Sequence, residues 1–192
     1  RVVGLDLQNA PSKARGRIGY MAQKFSLYGD LSVQQNLDFF AGVYGLTGKS
    51  RKDAISQMIE TFGFADRLDV NAMGLPLGYK QRLALACAVM HEPDVLFLDE
   101  PTSGVDPRTR REFWTHINAM VANGVTIMVT THFLDEAEYC DRMALIYRSK
   151  MIASGSPDEL KDRARASGMM DPTLEDAFIA LVEQSDRERE AG

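Results

Sequence analysis

The sequence has few cysteines, no long apolar run and no excess of basic residues. Its two cysteines, Cys87 and Cys140, do not show the spacing of a metal site. We expect both to be reduced, buried thiols, as in a cytosolic protein. The longest apolar run covers residues 83–90, which is far shorter than the roughly 18 residues that indicate a membrane-spanning helix.

The charge balance and the composition narrow the class of protein further. The chain of 192 residues has 22 basic and 27 acidic side chains, a net charge of −5 at pH 7. Tight, nonspecific binding to nucleic acid usually needs a basic excess, so this class is disfavoured. Hydrophobic residues make up 45% and charged residues 26%, which are ordinary values for a packed globular chain and exclude global disorder.

Apolar residues show helical spacing in the middle of the sequence, and short apolar strands alternate with helices after residue 94. Helical spacing within residues 33–91 predicts several helices. Strands are predicted at residues 18–22, 95–98 and 125–130 and at Met143–Tyr147, the last three separated by helices. This alternation is typical of a parallel sheet in an α/β fold, and continuous apolar strands are expected to be buried on both faces.

Two capping patterns predict short helices near the C-terminal end of the sequence. Ser156 and Glu159, with Pro157 at the first helical position, form a capping box. Thr173 begins a second helix in the same way. The polar residues 185–192 are predicted to be frayed.

Two adjacent carboxylates, Asp99 and Glu100, directly follow the apolar strand at residues 95–98. The carboxyl edge of an open α/β sheet is where ligands bind. The first carboxylate can hold Mg²⁺, and the second can polarise a water molecule for attack on phosphorus. Taken alone, an apolar strand that ends in Asp-Glu is more often a capped turn.

A histidine follows the next strand. His132 lies 32 residues past Glu100, and adjacent parallel strands place their ends side by side. A lone histidine in such a position is usually a satisfied surface or core residue. Joined to the acidic pair by one βαβ unit, His132 is instead predicted to face the same phosphate as Glu100.

These residues resemble the motifs of the ATP-binding cassette (ABC) ATPases. Residues 95–101 resemble the Walker B strand, residues 103–106 the D-loop and His132 the switch histidine. Gln23, at the end of the first strand, resembles the Q-loop glutamine. Residues 75–82 occupy the position of the signature motif.

The resemblance extends from about residue 2 to residue 160. It implies an α/β fold with a parallel sheet core like that of P-loop NTPases, incomplete here, with an inserted helical subdomain and a short helical tail. The implied divisions are a core fragment with the Q-loop (1–32), a helical subdomain with a degenerate signature (33–91), a core with Walker B, D-loop and switch histidine (92–155) and a helical extension (156–192).

The family also implies cofactors and site residues, with ATP and Mg²⁺ as the ligands. Glu100 is expected to orient or activate water, and His132 to hold the γ-phosphate. Asp106 is expected to link two sites across a dimer. The residues expected to bind nucleotide or metal are Gln23, Asp99, Gly78 and Asp106, of which Asp99 and Gln23 contact Mg²⁺.

Within the family, residues 29–37 and 131–141 are most similar to ATPase subunits of drug exporters. The implied function is ATP hydrolysis that powers export of a drug-like or lipophilic substrate. The implied partners are a transmembrane subunit and a second cassette, at the cytoplasmic face of the inner or plasma membrane, with no nucleic acid. Two alternatives stay open: a nontransport cassette ATPase that acts on ribosomes or nucleic acid, and a noncatalytic interaction fragment.

One departure from the family is the lack of a P-loop. Gly48, Lys49 and Ser50 do not form one, because the glycine required five positions before Gly48 is replaced by Val43. The segment also follows a predicted helix, whereas a P-loop follows a strand. We therefore expect a cassette truncated at its N-terminus and inactive by itself.

The second departure lies in the signature motif. The family pattern Leu-Ser-Gly-Gly-Gln reads Leu-Pro-Leu-Gly-Tyr over residues 75–79. Pro76 takes the place of the serine whose hydroxyl reaches the γ-phosphate, and proline has no N–H to substitute for it. The amides at the start of the following helix can still attract phosphate. The departure concerns the composite site that receives this segment, and it need not affect the site that carries the acidic pair, which would face the signature of the partner.

Overall fold

Three parallel strands form a sheet in the part of the chain that the computed structural model describes, residues 2–4, 14–165 and 169–190. They are β1 (Ile18–Met21), β2 (Val95–Asp99) and β3 (Thr126–Thr130), in the spatial order β1-β2-β3. These strands belong to a first compact unit, Arg1–Thr130, which is followed by a second unit, Thr131–Gly192. The parallel α/β sheet predicted from the sequence is confirmed.

The two faces of this sheet differ in burial. Leu96 and Leu98 of β2 are buried on one face. On the other face Tyr20 and Met128, which align through Phe97 in the strand register, are 58% and 56% exposed. The prediction that the strands are buried on both faces is therefore wrong for β3, because the described elements of this unit leave that face open.

Among the elements that the structure describes in full, four α-helices and a short 3-10 turn (Ala72–Gly74) accompany the sheet in the first unit. Ser32 caps the first helix through a capping box with Gln35, and Gly63 ends the second in the left-handed conformation. Residues 48–50 already belong to the second helix, in agreement with their rejection as a P-loop. The helices are α1 (Val33–Val43), α2 (Gly48–Phe62), α3 (Leu77–Val89) and α4 (Pro107–Ala122).

Helix α3 packs against β1 at Gly19. A Cβ atom at this position would overlap the main-chain oxygen of Ala88 and the side chain of Leu96. Only glycine permits so close an approach of helix and strand. The contact covers the buried face of the sheet with a helix in which residues 83–88 are all buried.

The second unit is built around an antiparallel hairpin. Strand β4 (Met143–Tyr147) pairs with β5 (Lys150–Gly155), so the expectation that residues 143–147 continue the parallel sheet is wrong. The turn between them, Arg148 and Ser149, has φ values of 48° and 62°, and it lacks the Asn-Gly or Asp-Gly sequence that usually predicts a tight hairpin. The apolar core of this unit consists of Ala137, Leu145, Ala153, Leu160 and Leu174.

Within residues 131–165 and 169–190, three helices accompany the hairpin: α5 (Leu134–Ala137), α6 (Pro157–Arg165) and α7 (Leu174–Glu190). The predicted caps are confirmed, since Ser156 and Thr173 each accept a hydrogen bond from a main-chain N–H three residues later. Residues 185–190 were expected to fray, yet they continue α7, where side-chain pairs four residues apart support the last turns. Within residues 2–4, 14–165 and 169–190, no helix has both the length and the hydrophobicity of a membrane-spanning segment.

The two cysteines are free thiols. Cys87 is buried in α3, as predicted, whereas Cys140 is only half-buried. Burial raises the pKa of both thiols, so both are protonated at neutral pH and neither has the thiolate character of a reactive cysteine.

Candidate functional site

The acidic pair lies at the carboxyl end of β2, where Asp99 is the last strand residue. In the strand register Asp99 is opposite Thr130 of β3, and the Thr130 hydroxyl donates a hydrogen bond to Asp99 Oδ1 at 2.6 Å. The main-chain N–H of Glu100 donates to the carbonyl of Thr130 at 2.9 Å. Glu100 itself has a φ of 43°, a backbone conformation that is uncommon for a residue with a side chain.

Gln23 reaches the same carboxyl edge from β1. Its Nε2 donates a hydrogen bond to Glu100 Oε2 at 2.7 Å. The structure therefore brings together three of the predicted site residues, Gln23, Asp99 and Glu100. Together with Thr130 they form a group that we call the acidic edge.

Thr130 was not identified as a site residue from the sequence. Threonine is common in strands, and its position opposite Asp99 follows from the register of two strands that are 31 residues apart. The available signal was its place as the last polar residue of the strand that follows the acidic pair.

The acidic edge presents oxygen atoms of the kind that bind Mg²⁺. Mg²⁺ takes oxygen ligands, typically one or two from the protein, and completes its shell with water and phosphate oxygens. Thr130 engages only one carboxylate oxygen of Asp99, and the NH₂ group of Gln23 is turned toward Glu100, which leaves the Gln23 amide oxygen as an acceptor. The donor set fits. Residues 2–4, 14–165 and 169–190 contain no cluster of three or more His, Cys, Asp or Glu side chains arranged as a metal site by themselves.

The signature segment, residues 75–79, starts helix α3. Pro76 is the N-cap residue and provides no side-chain hydrogen bond, while its carbonyl accepts from the N–H groups of Tyr79 and Lys80. The Tyr79 ring faces the guanidinium groups of Arg67 and Arg82, at 4.4 and 5.2 Å from the ring centroid. The hydrogen bond with Tyr79 raises the pKa of Arg67. Positive charge therefore lies beside the start of α3.

Asp106 caps helix α4, as predicted. Its Oδ1 accepts from the N–H groups of Arg108 and Thr109 at 3.1 Å each. Its Oδ2 accepts from the Thr109 hydroxyl at 2.6 Å. The Thr109 side chain, followed by these main-chain donors, lowers the pKa of Asp106, so the carboxylate stays ionised at neutral pH.

Gly78 of the signature segment lies against the same threonine. A Cβ atom at Gly78 would be 2.8 Å from Thr109 Cγ2. Gly78 and Asp106, predicted separately as nucleotide-binding residues, are thus brought together through Thr109. His132 belongs to the second unit, where its ring contacts that of Phe133 with centroids 4.1 Å apart, and its expected role at the phosphate stays a prediction.

The sequence is similar to those of proteins that are named as ATP-binding proteins. The chain is 62% identical over 187 residues to the probable multidrug ABC transporter ATP-binding protein YbhF of Escherichia coli K12, covering 97% of this chain and 32% of that protein. It is 37% identical over 162 residues to the daunorubicin resistance ATP-binding protein DrrA2 of Streptomyces coeruleorubidus, covering 84% of this chain and 50% of that protein. The chain thus spans about a third to a half of the length of these relatives.

Solved structures and a family description agree with the sequence matches. The structure of an ATP-binding subunit of an ABC transporter superposes with a TM-score of 0.79 at 27% identity, covering 93% of this chain and 74% of that one. CbiO1 of Clostridium perfringens, part of the ABC transporter complex cbiONQ, superposes with a TM-score of 0.69 at 30% identity, over 80% and 64% of the two chains. The description of the ABC transporter family matches residues 2–103, which is just over half of the chain. The acidic edge is therefore part of an ABC ATPase fold, and this chain belongs to the ABC transporter family.

Proposed function

We propose that the complete protein is the ATP-binding and ATP-hydrolysing subunit of an exporter of drug-like or lipophilic substrates. The observation that carries this proposal is the acidic edge, in which Gln23, Glu100, Asp99 and Thr130 are joined by hydrogen bonds across three parallel strands. The names of the similar proteins, a multidrug ATP-binding protein and a daunorubicin resistance protein, support the class of substrate.

Each residue of the acidic edge has a proposed role in hydrolysis. Asp99 and Gln23 would hold Mg²⁺, which supplies neutralisation of phosphate charge when it is bound. Glu100 orients or activates the attacking water, and His132 holds the γ-phosphate. Because the amide of Gln23 donates to Glu100, Gln23 both restrains the Glu100 carboxylate and reports occupancy of the site to the transporter.

The proposed assembly contains a second cassette and a transmembrane subunit, at the cytoplasmic face of the membrane. The acidic edge would face the signature of the second cassette, and the signature segment of this chain would face the nucleotide of that cassette. Asp106 would link the two sites. We propose the helical region 33–91 as the subdomain that carries the signature.

Phosphate binding in this family also uses a P-loop, and residues 1–192 contain no Gly-x-x-x-x-Gly-Lys-Ser/Thr sequence. The main-chain N–H groups and the lysine of such a loop hold the phosphates. We therefore expect residues 1–192 alone not to hydrolyse Mg-ATP, and we assign the activity to the complete protein.

Transport by inverted membrane vesicles tests the proposed function. Vesicles from cells that produce the complete protein with its membrane subunit are expected to accumulate a fluorescent anthracycline when Mg-ATP is added. Vesicles with Glu100→Gln should not accumulate it. Recovery of the protein with ribosomes and not with membranes would contradict the proposal and favour a nontransport ATPase.

A further inference from the structure

Helix α3 contacts the loop that carries the acidic pair at the beginning of that loop. The side chain of Gln81 is completely buried, and its Nε2 donates a hydrogen bond to the carbonyl of Pro101 at 2.7 Å. Pro101 directly follows Glu100. A buried amide is costly unless it is hydrogen-bonded, so this bond fixes both the Gln81 side chain and the position of the Pro101 carbonyl.

The same helix contacts the end of the loop. Gly78 lies against Thr109, with a Cβ position only 2.8 Å from Thr109 Cγ2. Thr109 in turn binds the carboxylate of Asp106, the residue at which the loop ends and α4 begins. Between these points, Leu77 Cδ2 lies 3.4 Å from the position that a Cβ would take at Gly104. The first turns of α3 therefore line the loop from Pro101 to Asp106.

Glu100 needs such support from its surroundings. Its φ of 43° is unfavourable for a residue with a side chain, and such conformations persist only where the surroundings hold them. On one side, its N–H is held by Thr130 of β3. Its carbonyl accepts from the N–H of Ser103 at 3.1 Å within the loop. The next carbonyl, that of Pro101, is the one held by Gln81.

We propose that α3 is the positioning element for Glu100, with Gln81 and Gly78 as the positioning residues that hold the two ends of loop 100–106. The inference rests on the catalytic role proposed above for Glu100. It implies that a disturbance at the signature segment, which serves one composite site, displaces the catalytic carboxylate that serves the other.

The test uses two substitutions in the complete protein, one that introduces a steric clash and one that removes it. Gly78→Ala places a methyl group against Thr109 Cγ2, and Thr109→Ser removes that carbon while it keeps the hydroxyl that binds Asp106. We expect Gly78→Ala to lower kcat for Mg-ATP about 10- to 100-fold, since displacement of a catalytic group by about 1 Å can cost as much. Gly78→Ala/Thr109→Ser should return to within about threefold of Thr109→Ser measured in parallel.

The rescue separates positioning from direct contact with nucleotide. If Gly78→Ala acted only by disturbing a phosphate contact of the signature, removal of a methyl group on α4 would not restore the rate. Gly74→Ala is the matched control, because it makes the same change four residues earlier at a position with no atom within 4 Å. It should behave like the unchanged protein.

Hydrogen exchange gives a readout that does not depend on turnover. The N–H groups of Glu100 and Ser103 are hydrogen-bonded to Thr130 and Glu100, so we expect them to exchange faster in Gly78→Ala and at the original rate in the double variant. Gln81→Met, which keeps the side-chain length and removes the donor to Pro101, should also accelerate exchange and lower kcat. Unchanged exchange in Gln81→Met would remove Gln81 from the proposal.

The outcomes distinguish this inference from the proposed function. Absence of ATP hydrolysis by the unchanged complete protein would contradict the proposed function, while the exchange rates would still decide whether α3 holds the loop. Hydrolysis by the unchanged protein together with equal rates in Gly78→Ala, or a defect that Thr109→Ser does not relieve, would overturn the positioning role of α3.

Discussion

The acidic edge and the signature segment are two regions of one chain that differ in how their polar groups are held. At the acidic edge, Gln23, Asp99, Glu100 and Thr130 bind one another across three strands. In the signature segment, Pro76 replaces a serine and leaves the start of α3 without a side-chain cap. Hydrogen bonds join the side chains of the first region, whereas the second has no hydroxyl at the position that the family resemblance leads us to expect.

The acidic edge depends on side chains from three strands, whereas the start of α3 depends on a single capping position. In the proposed dimer the acidic edge and the signature segment of one chain serve different nucleotides. Loss of the serine at position 76 therefore need not impair the site that contains Asp99 and Glu100. The contacts of α3 with loop 100–106 nevertheless keep the two regions mechanically connected.

Substitution of Glu100 at the acidic edge should reduce activity more than any other change considered below. Glu100→Gln in the complete protein should lower ATP hydrolysis by more than about 100-fold, because catalysis of phosphoryl transfer depends on positioned charge. Nucleotide binding should persist, since the phosphates are held elsewhere. Initial rates of phosphate release and binding of a fluorescent ATP analogue measure the two quantities.

Glu92→Gln is the matched control for this change. Glu92 is also a glutamate with positive φ, 54°, so the same substitution is made in a similar backbone conformation away from the acidic edge. It should leave hydrolysis unchanged. Normal ATP hydrolysis by Glu100→Gln would contradict the role of Glu100 in hydrolysis.

The next effect concerns Thr130. Thr130→Val removes the hydroxyl, which donates to Asp99 Oδ1 at 2.6 Å and accepts a longer bond from the Glu100 N–H at 3.3 Å. It keeps the Thr130 carbonyl, which accepts from the same N–H at 2.9 Å. Groups that orient a metal ligand typically affect metal affinity by 10- to 100-fold, so we expect the Mg²⁺ concentration needed for half-maximal hydrolysis to rise about tenfold. A titration of hydrolysis with MgCl₂ at fixed ATP measures this shift.

Thr126→Val is the matched control, because Thr126 lies on the same face of β3 as Thr130. Thr126 is opposite the apolar Val95 and not opposite a carboxylate. Its Mg²⁺ titration should match that of the unchanged protein. Equal shifts in Thr126→Val and Thr130→Val would mean that the strand, and not the bond to Asp99, determines the effect.

The acidic edge could be located in large part from the sequence because its signals are local. An apolar strand followed by Asp99 and Glu100 indicates a sheet edge, and Asp106 before a proline indicates a helix cap, which the structure confirms. Thr130 could not be found in this way, because its role depends on strand register, a property of the tertiary structure.

The hairpin and the open sheet face could not be predicted from local sequence. Arg148 and Ser149 adopt left-handed conformations without glycine or asparagine, so the turn before β5 gave no usual signal. The apolar side chains of β3 predicted burial, but burial depends on which elements cover the sheet. Met128 is exposed on the face that the described elements of the first unit leave open.

A smaller effect is expected in the signature segment. Pro76 has an extended backbone, with φ −55° and ψ 150°, which suits a capping serine. Pro76→Ser should be more stable than Pro76→Ala by about 1 kcal/mol, because a serine cap binds an otherwise unpaired N–H of α3. Denaturant midpoints of the two variants of the complete protein measure the difference, and both variants lack the proline ring, so its effect cancels.

The same pair of variants also shows whether the signature segment contributes to hydrolysis. If the missing hydroxyl limits the composite site served by this segment, ATP hydrolysis should be faster in Pro76→Ser than in Pro76→Ala by about two- to tenfold, the range expected for one hydrogen bond. Equal rates would indicate that the signature segment contributes no hydroxyl-dependent step.

The smallest effect concerns His91, which links the region after α3 to the strand that leads to Gln23. Its Nε2 lies 3.1 Å from the carbonyl of Ile18, and its ring stacks on Tyr44 with centroids 3.6 Å apart. Burial lowers the pKa of His91, and the bond to Ile18 only partly opposes this. The folded state therefore binds a proton less readily than the unfolded state, and stability is lost as the pH falls below the ordinary value of about 6.5.

His91→Gln keeps an N–H donor for Ile18 and removes the titrating group, so the fall in melting temperature between pH 8 and pH 5.5 should be smaller in this variant. Part of the fall will remain, because burial and the nearby Arg82 also lower the pKa of His116. His116→Gln, measured alongside, separates the two contributions. Equal acid sensitivity in His91→Gln and the unchanged protein would show that His91 is protonated without cost, and that the junction between α3 and β1 accommodates the charge.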